Sequence, residues 1–199
     1  MNNHIKLGWV GVRGYGKRFW DAIKHSPLCQ ISACFHPDPL VANEAAKRMG
    51  CLPFTDLDDL LNSKDVNALI MTIPNEFHFD YSKRALEAGK HVLVEKPLTN
   101  TLVEAKRLVK LAEDKSLVLM VGHNYRKNDF LVRIKGELEK GRIGKPVAAE
   151  FNVGHGGGLK FKSDKWRFHK EKCPGGPLNM LGTHLIDASN YLFGKVIKV

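Results

Sequence analysis

An acid, an amine and a proline follow a short apolar run near the middle of the chain. Residues 92–94 are Val-Leu-Val, and such branched apolar residues fill strands that are buried on both faces. Pro97 cannot donate to a strand ladder, so Glu95 and Lys96 are predicted to lie at the strand's carboxyl end, where open α/β sheets bind ligands. Two ionisable groups are costly at a buried strand end unless they pair or take part in chemistry. The sequence therefore predicts either a structural ion pair or an acid–base site here.

A glycine-rich turn near the amino terminus is the companion feature. Residues 5–10 form an apolar strand candidate, and the helix-like residues 17–24 follow a turn that contains Gly11 and Gly16. Such a turn directs backbone N–H groups and the positive end of a helix at a phosphate. Arg13 stands where the dinucleotide pattern has its second glycine, so it either crowds the pyrophosphate or turns outward and adds a positive charge. A plain tight turn is the alternative.

The second predicted strand, residues 30–35, ends in a histidine rather than an acid. Dinucleotide-binding folds commonly place an acid there to bind the adenosine ribose. His36 can instead hydrogen-bond a ribose hydroxyl or carry partial positive charge toward a 2′-phosphate. Asp38 follows, but Pro37 fixes the turn between the two side chains. NAD and NADP therefore both remain open as cofactors, and a solvated loop histidine is the alternative.

These segments and several others resemble, in their order along the chain, the glucose–fructose oxidoreductase / inositol dehydrogenase (Gfo/Idh/MocA) family of nicotinamide-dependent enzymes. The matching runs are residues 10–16, 72–75 with His78, 88–97, 122–126, 141–145, 175–177 and 182–187. They span nearly the whole chain. The Glu-Lys-Pro triplet, at its distance from the glycine turn, is the most specific of them.

The resemblance implies an NAD- or NADP-dependent oxidoreductase that acts on a hydroxyl of a sugar, polyol or sugar derivative by hydride transfer. It implies two catalytic residues, Lys96 as acid–base and His184 as substrate orienter or proton relay. Residue pattern and resemblance together place these residues at the cofactor: Gly11, Val12, Arg13, Tyr15, Gly16, His36, Thr72, Pro74, Asn75, His78, Glu95, Lys96 and Asn124. Those placed at the substrate are Lys96, Tyr125, Arg126, Trp166, Arg167 and His184. Two alternatives stay open, because Asn75 can cap the next helix and Arg126 can brace the domain junction.

One departure from the family pattern lies on a predicted helix, residues 178–192. Family oxidoreductases commonly carry an aspartate four residues before the histidine, and this chain has Met180 there. By α-helical spacing Met180, His184, Asp187 and Tyr191 share one face. A methionine sulfur accepts hydrogen bonds only weakly. The missing acid therefore implies slow turnover or a different reaction.

Length and composition limit the class of protein. The 199 residues are 43% hydrophobic and 26% charged, as in ordinary globular proteins that dissolve in water. No run of about eighteen apolar residues is present, which predicts no membrane span. The first strand starts close to Met1, which leaves no room for a signal peptide. The 4 cysteines lack metal-ligand spacing and predict reduced thiols, no metal site and a cytoplasmic location.

The formal net charge of +10 is concentrated in part in one segment. Basic residues crowd residues 160–172 and are interleaved with Phe161, Trp166 and Phe168, a mixture that can bind nucleic acid by charge and stacking. The segment has no nucleic-acid motif, and it lies where the family has a loop over the substrate, so we expect no nucleic-acid partner. An anionic sugar derivative fits the charge, and a solvated basic loop fits it equally well.

Alternation of strands and helices predicts an α/β fold for residues 1–124, a Rossmann-type parallel sheet with helices on both faces. Residues 125–199 are predicted to begin an α+β domain with an open, mainly antiparallel sheet, as in the family. The first strand of that sheet is assigned to residues 146–153 and another to residues 196–199. Family members continue this domain, so we expect a fragment or a truncated product, with homo-oligomers formed through the sheet where the domain is complete.

Three functions are compatible with these patterns. The first is the dehydrogenase described above. The second is a hydrolase or lyase that uses bound NAD transiently, as a minority of the family does. The third is a dinucleotide-binding module with weakened catalysis, which Arg13, His36 and Met180 favour.

Overall fold

Strands and helices alternate along the first part of the computed structural model, which describes residues 4–14, 16–154, 156, 159, 162 and 165–199. The chain divides into two units, Met1–Gly122 and His123–Val199. The predicted domain boundary after residue 124 lies close to this division.

The first unit is built on one parallel sheet of six strands in the order β3-β2-β1-β4-β5-β6. The strands are β1 Ile5–Val10, β2 Cys29–Phe35, β3 Leu52–Phe54, β4 Ala68–Met71, β5 His91–Val94 and β6 Leu119–Val121. Successive strands run outward from β1 to β3 on one side and from β4 to β6 on the other. The strand order therefore reverses between β1 and β4, and ligands of open α/β sheets bind at such a switch point.

Helices cover both faces of this sheet. They are α1 Gly16–Ile23, α2 Pro39–Met49, α3 Leu57–Asn62, α4 His78–Glu87 and α5 Leu102–Asp114. Neighbouring strand residues point to opposite faces, so Trp9 packs in the cluster with α1 and α2, while Val10 packs in the cluster with α3, α4 and α5. Both residues are fully buried. The predicted Rossmann-type class is confirmed.

A capping box fixes the start of α5. The Thr101 hydroxyl accepts a hydrogen bond from the Glu104 amide at 3.3 Å, and the Glu104 carboxylate accepts one from the Thr101 amide at 3.2 Å. Two N–H groups that the helix itself cannot satisfy thereby gain partners. The helix that follows the Lys96 segment consequently begins at a defined residue.

All regular secondary structure among the described residues of the second unit is helical. Its regular helices are α6 Asp129–Glu139 and α7 Thr183–Phe193. Shorter 3₁₀ turns span Asn124–Lys127 and Trp166–Phe168, and a π-helical turn, Leu178–Gly182, leads into α7. Leu131 of α6 packs against Ala188 and Leu192 of α7 in a small core.

Two predicted strands of this unit are wrong. Residues 146–153 and 196–199 lie outside any helix or strand, with Val147 and Ile197 each 97% exposed. A strand is stabilised by hydrogen bonds to a neighbouring strand, and none forms among the described residues of this unit. The alternating pattern thus predicts a strand that the described residues do not form.

The predicted helix over residues 178–192 is confirmed only from Thr183 onward. A π-helical turn closes i to i+5 hydrogen bonds and holds more residues than an α-helical turn. Met180 lies in that turn, and its predicted place on one face with His184 stays a prediction.

No helix in the described ranges is both long enough and apolar enough to cross a membrane.

Candidate cofactor and active site

The carboxyl ends of β1, β4 and β5 bring three predicted site segments to one edge of the sheet. Val10 of β1 pairs with Met71 of β4, and Met71 pairs with Val94 of β5. The next residues along the three strands are Gly11, Thr72 and Glu95. The ladder continues to this point, because the Thr72 amide donates to the Val10 carbonyl at 2.9 Å. The switch-point edge therefore carries the glycine turn, the Thr72 segment and the Glu95–Lys96 pair.

The glycine turn is packed so closely that two of its residues cannot carry a side chain. Gly11 has φ +97°, and a Cβ placed on it would lie 2.6 Å from the Thr72 carbonyl oxygen. A Cβ on Gly16 would overlap the Gly11 carbonyl oxygen. Gly14, at the outer end of the turn, faces open space. The turn is thus packed directly against Thr72, the residue that follows β4, and α1 begins at its last glycine, Gly16.

The Thr72 side chain supports this turn. Its hydroxyl donates to the Gly11 carbonyl at 2.7 Å and accepts a hydrogen bond from the Trp9 indole N–H at 3.3 Å. The predicted contact of Thr72 with the cofactor stays a prediction, and its hydroxyl makes these two hydrogen bonds within the protein. Trp9 was not predicted to take part, because an aromatic residue in a buried strand gives no sequence signal beyond core packing.

Arg13 is exposed at the turn, which favours the outward alternative over crowding of a pyrophosphate. The side chain of Val12 is 1% exposed, so only its backbone can reach a ligand. Arg48 of α2 donates from Nη2 to the Val12 carbonyl at 3.4 Å and adds a second cation beside the turn. Tyr15, another predicted cofactor residue, lies outside the described residues.

The geometry around His36 fixes which ring nitrogen can donate. The Asp38 amide donates to Nδ1 of His36 at 3.0 Å. Because an amide N–H can only donate, Nδ1 accepts, and the neutral ring carries its proton on Nε2. The Asp38 carboxylate caps α2 by accepting from the Leu40 amide at 2.9 Å. His36 therefore offers one N–H donor at the end of β2.

His78, also predicted to contact the cofactor, is 0% exposed. Its Nδ1 lies 2.6 Å from the Pro97 carbonyl oxygen and its Nε2 lies 3.0 Å from the Ile73 carbonyl oxygen. Burial lowers the pKa of His78, and the two backbone carbonyls oppose this shift. The ring joins the chain after β4 to the chain after β5, and both nitrogens face protein carbonyls. This geometry supports a structural role for His78.

The neighbouring residues Pro74 and Asn75 lead from β4 into α4. Asn75 is 3% exposed and starts a 3₁₀ turn, Asn75–Phe77. The cap positions of that turn and of α4 are Pro74 and Phe77. Asn75 therefore does not occupy the N-cap position of either helix.

Glu95 and Lys96 are both half-buried at the end of β5. The Glu95 carboxylate accepts a hydrogen bond from the Lys96 amide at 3.2 Å. Burial raises the pKa of Glu95, while the Lys96 amide and the Lys96 charge oppose this shift. Gly122 makes room for the carboxylate, because a Cβ there would lie 3.2 Å from Glu95 Oε1. The acid is thus held between β5 and β6, with Lys96 as the next residue.

In the second unit, His184 of α7 is 8% exposed and lies against two aromatic rings. The Tyr125 ring stacks on it, with ring centres 4.2 Å apart and planes 14° apart. The His123 ring meets it edge-on at 6.4 Å. The structure therefore brings together Tyr125 and His184, two of the predicted substrate residues.

Arg126 forms a bidentate ion pair with Asp187 of α7. Its Nε and Nη2 donate to the two carboxylate oxygens at 2.8 and 2.6 Å. This bond raises the pKa of Arg126. Arg126 is predicted to contact the substrate or to brace the domain junction, and both stay predictions, since this ion pair lies within the second unit. The partner could not be identified from the sequence, because it lies 61 positions away.

The remaining predicted residues of this unit are Asn124, Trp166 and Arg167. Asn124 is exposed at the start of a 3₁₀ turn. The Arg167 guanidinium lies 4.4 Å above the Trp166 ring, and burial lowers the pKa of Arg167. In the part of the chain that the structure describes, no three histidine, cysteine, aspartate or glutamate side chains are arranged to hold a metal ion.

Two family models match the chain. Residues 5–123 match the model described as oxidoreductase family, NAD-binding Rossmann fold, and residues 131–199 match the Gfo/Idh/MocA C-terminal domain. The levoglucosan dehydrogenase of Pseudarthrobacter phenanthrenivorans is 32% identical over 179 residues, which is 89% of this chain and 45% of that protein. The scyllo-inositol 2-dehydrogenase (NADP(+)) of Bacillus subtilis is 30% identical over 93% of this chain and 51% of that protein.

A solved structure agrees with these matches. The 3-ketoreductase of Actinomadura kijaniata, in complex with NADP and TDP-benzene, superposes with a TM-score of 0.83 and 29% identity. The match covers 96% of this chain and 58% of that structure's chain. The chain thus spans about half the length of the relatives it matches. From these matches and the switch-point geometry, the chain belongs to the Gfo/Idh/MocA oxidoreductase family, and its first unit is the family's NAD-binding Rossmann fold.

Proposed function

We propose that the protein is an NAD(P)-dependent dehydrogenase that acts on a hydroxyl of a sugar, polyol or sugar derivative. The observation that carries this proposal is the position of Lys96. Lys96 directly follows Glu95 at the end of β5. Met71 of β4 pairs with Val10 of β1 and with Val94 of β5, so the carboxyl ends of these three strands lie side by side. An ionisable amine on the sheet edge that holds the glycine turn is placed for acid–base work beside a bound dinucleotide.

The first unit fits a dinucleotide by its own geometry. Gly11 and Gly16 keep side chains out of the turn, and the N-terminus of α1 presents positive charge to a phosphate. Arg13 is exposed at the turn and can add a cation, while His36 offers an Nε2 donor at the adenosine side. A bound nicotinamide would accept the hydride, which is chemistry that no side chain supplies.

Lys96 is proposed to hold or accept the proton of the substrate hydroxyl. A lysine can accept a proton only when it is neutral, which requires a pKa brought toward neutrality by its surroundings. His184 is proposed to orient the substrate or relay the proton. Relatives named for levoglucosan and scyllo-inositol support a carbohydrate-type substrate. The formal charge of +10 is compatible with an anionic one.

The direct experiment is a turnover assay of the 199-residue chain with NAD⁺ or NADP⁺ and a panel of sugars, polyols and sugar acids. We expect reduction of the cofactor that requires both protein and at least one panel member. Heat-treated protein is the control. Cofactor that binds but keeps its redox state with every panel member would contradict the proposal.

His36 is expected to make the protein tolerant of both cofactors, because no acid at that position repels a 2′-phosphate. The substitution His36→Asp should shift the ratio of NADH to NADPH affinity toward NADH by about tenfold or more, measured by fluorescence titration. The exposed His25 provides the control His25→Asp, which adds the same charge elsewhere in the unit. An equal effect of both variants on the ratio of NADH to NADPH affinity would show that His36 does not contact the adenosine ribose.

One observation favours a second candidate, a dinucleotide-binding protein with weakened catalysis. Met180 stands where the family's aspartate is expected, and it lies in a π-helical turn. In that case the chain would bind cofactor normally, show little turnover, and gain turnover on Met180→Asp. The assay above distinguishes the two candidates.

A further inference from the structure

The Tyr125 ring fixes the plane in which the His184 imidazole lies. The two rings are nearly parallel, with their centres 4.2 Å apart, and His184 is 8% exposed. Stacked aromatic pairs gain stabilisation beyond the burial of their surfaces. The His123 ring stands edge-on against the same imidazole at 88°. Rotation of His184 about its side-chain bonds would require both neighbours to give way.

Tyr125 is in turn held by the residue that follows it. Arg126 donates through two nitrogens to Asp187, which lies on α7 three residues after His184 and is 7% exposed. Bidentate guanidinium–carboxylate pairs fix orientation as well as distance. The guanidinium also lies 5.9 Å from the centre of the Tyr191 ring, on the same helix. The short turn Asn124–Lys127 is therefore clamped to α7 at two successive residues.

We infer that Tyr125 is a positioning residue for His184, and that the Arg126–Asp187 ion pair keeps the Tyr125 ring on the imidazole. This inference rests on the proposed function, because it gives His184 a part in the reaction. In this inference the face of the Tyr125 ring holds His184 in one orientation. The Tyr125 hydroxyl is not assigned to the substrate. Arg126 and Asp187 act through Tyr125 and need not touch the substrate.

The test is NMR spectroscopy of the chain with isotope-labelled histidine, in which His184→Gln assigns the His184 ring signals. Stacking on the Tyr125 face should displace the His184 ring-proton signals upfield. Tyr125→Phe keeps the ring and should keep this displacement, whereas Tyr125→Leu should abolish it. Arg126→Gln should reduce the displacement, because the clamp is lost while both rings remain.

Two outcomes would overturn the inference: His184 signals that do not move in Tyr125→Leu, or a Phe variant that behaves like the Leu variant. The signals of the other histidines and the melting temperature report whether each variant is folded. In the turnover assay Tyr125→Leu should lower kcat by about tenfold or more, with Tyr125→Phe within a few-fold of the parent. Absence of turnover in the parent would contradict the proposed function and leave the NMR result valid, so the two failures are distinguishable.

Discussion

Lys96→Met is expected to lower turnover by about 100-fold or more, while the affinity for the nicotinamide cofactor stays within a few-fold. Methionine keeps much of the bulk of the lysine stem but cannot accept or hold a proton. General acid–base residues commonly contribute factors of about 10²–10⁴ to a rate. Lys96 is half-buried beside Glu95 and follows a strand that pairs directly with β4, so the loss of its amine should act on the reaction more than on the fold.

A second lysine in the same unit provides the control for this experiment. Lys83 lies on α4, has a 42% exposed side chain and forms an ion pair with Glu87 at 3.5 Å. Lys83→Met removes the same charge from the unit away from the sheet edge, so it should leave turnover and cofactor affinity unchanged. If Lys96→Met turned over at the parental rate with any active substrate, the proposed dehydrogenase mechanism would be wrong.

The fold of the first unit could be predicted because its signals are local. Each strand is a short apolar run, and the helices begin at features such as the Thr101–Glu104 capping box. The two predicted strands of the second unit failed for the opposite reason. Residues 146–153 carry the alternating pattern of a strand, but strand formation depends on a neighbour that the pattern itself does not specify.

The site could be predicted in part. The edge position of Glu95 and Lys96 followed from a buried strand that ends at proline, which is again a local signal. The hydrogen-bond partners of Thr72 and His78 could not be predicted, because they are backbone carbonyls far away in the sequence. The Thr72 hydroxyl donates to Gly11, 61 positions away, and the His78 ring reaches Pro97, 19 positions away. From sequence alone, a polar residue near a predicted ligand site is assigned to the ligand, because its hydrogen-bond partner within the protein is not yet known.

The glycine turn is where the second prediction with a large expected effect applies. Gly11→Ala should lower the free energy of unfolding by about 3 kcal/mol, since positive-φ strain and overpacking each cost about 1–3 kcal/mol. A Cβ on Gly11 would lie 2.6 Å from the Thr72 carbonyl oxygen, and backbone cannot move aside as a side chain can. The ends of β1 and β4 would be pushed apart at the proposed pyrophosphate site, so NADH affinity should fall by about tenfold or more.

Gly14→Ala is the matched control for this prediction. Gly14 lies in the same turn at φ +57°, but a Cβ there would face open space. It should therefore show only the left-handed backbone cost of about 1–2 kcal/mol. Chemical denaturation and NADH titration of both variants separate the two effects. If Gly11→Ala were no more destabilising than Gly14→Ala, close packing of the turn on Thr72 would not be what requires glycine there, and the pyrophosphate assignment would lose its main structural support.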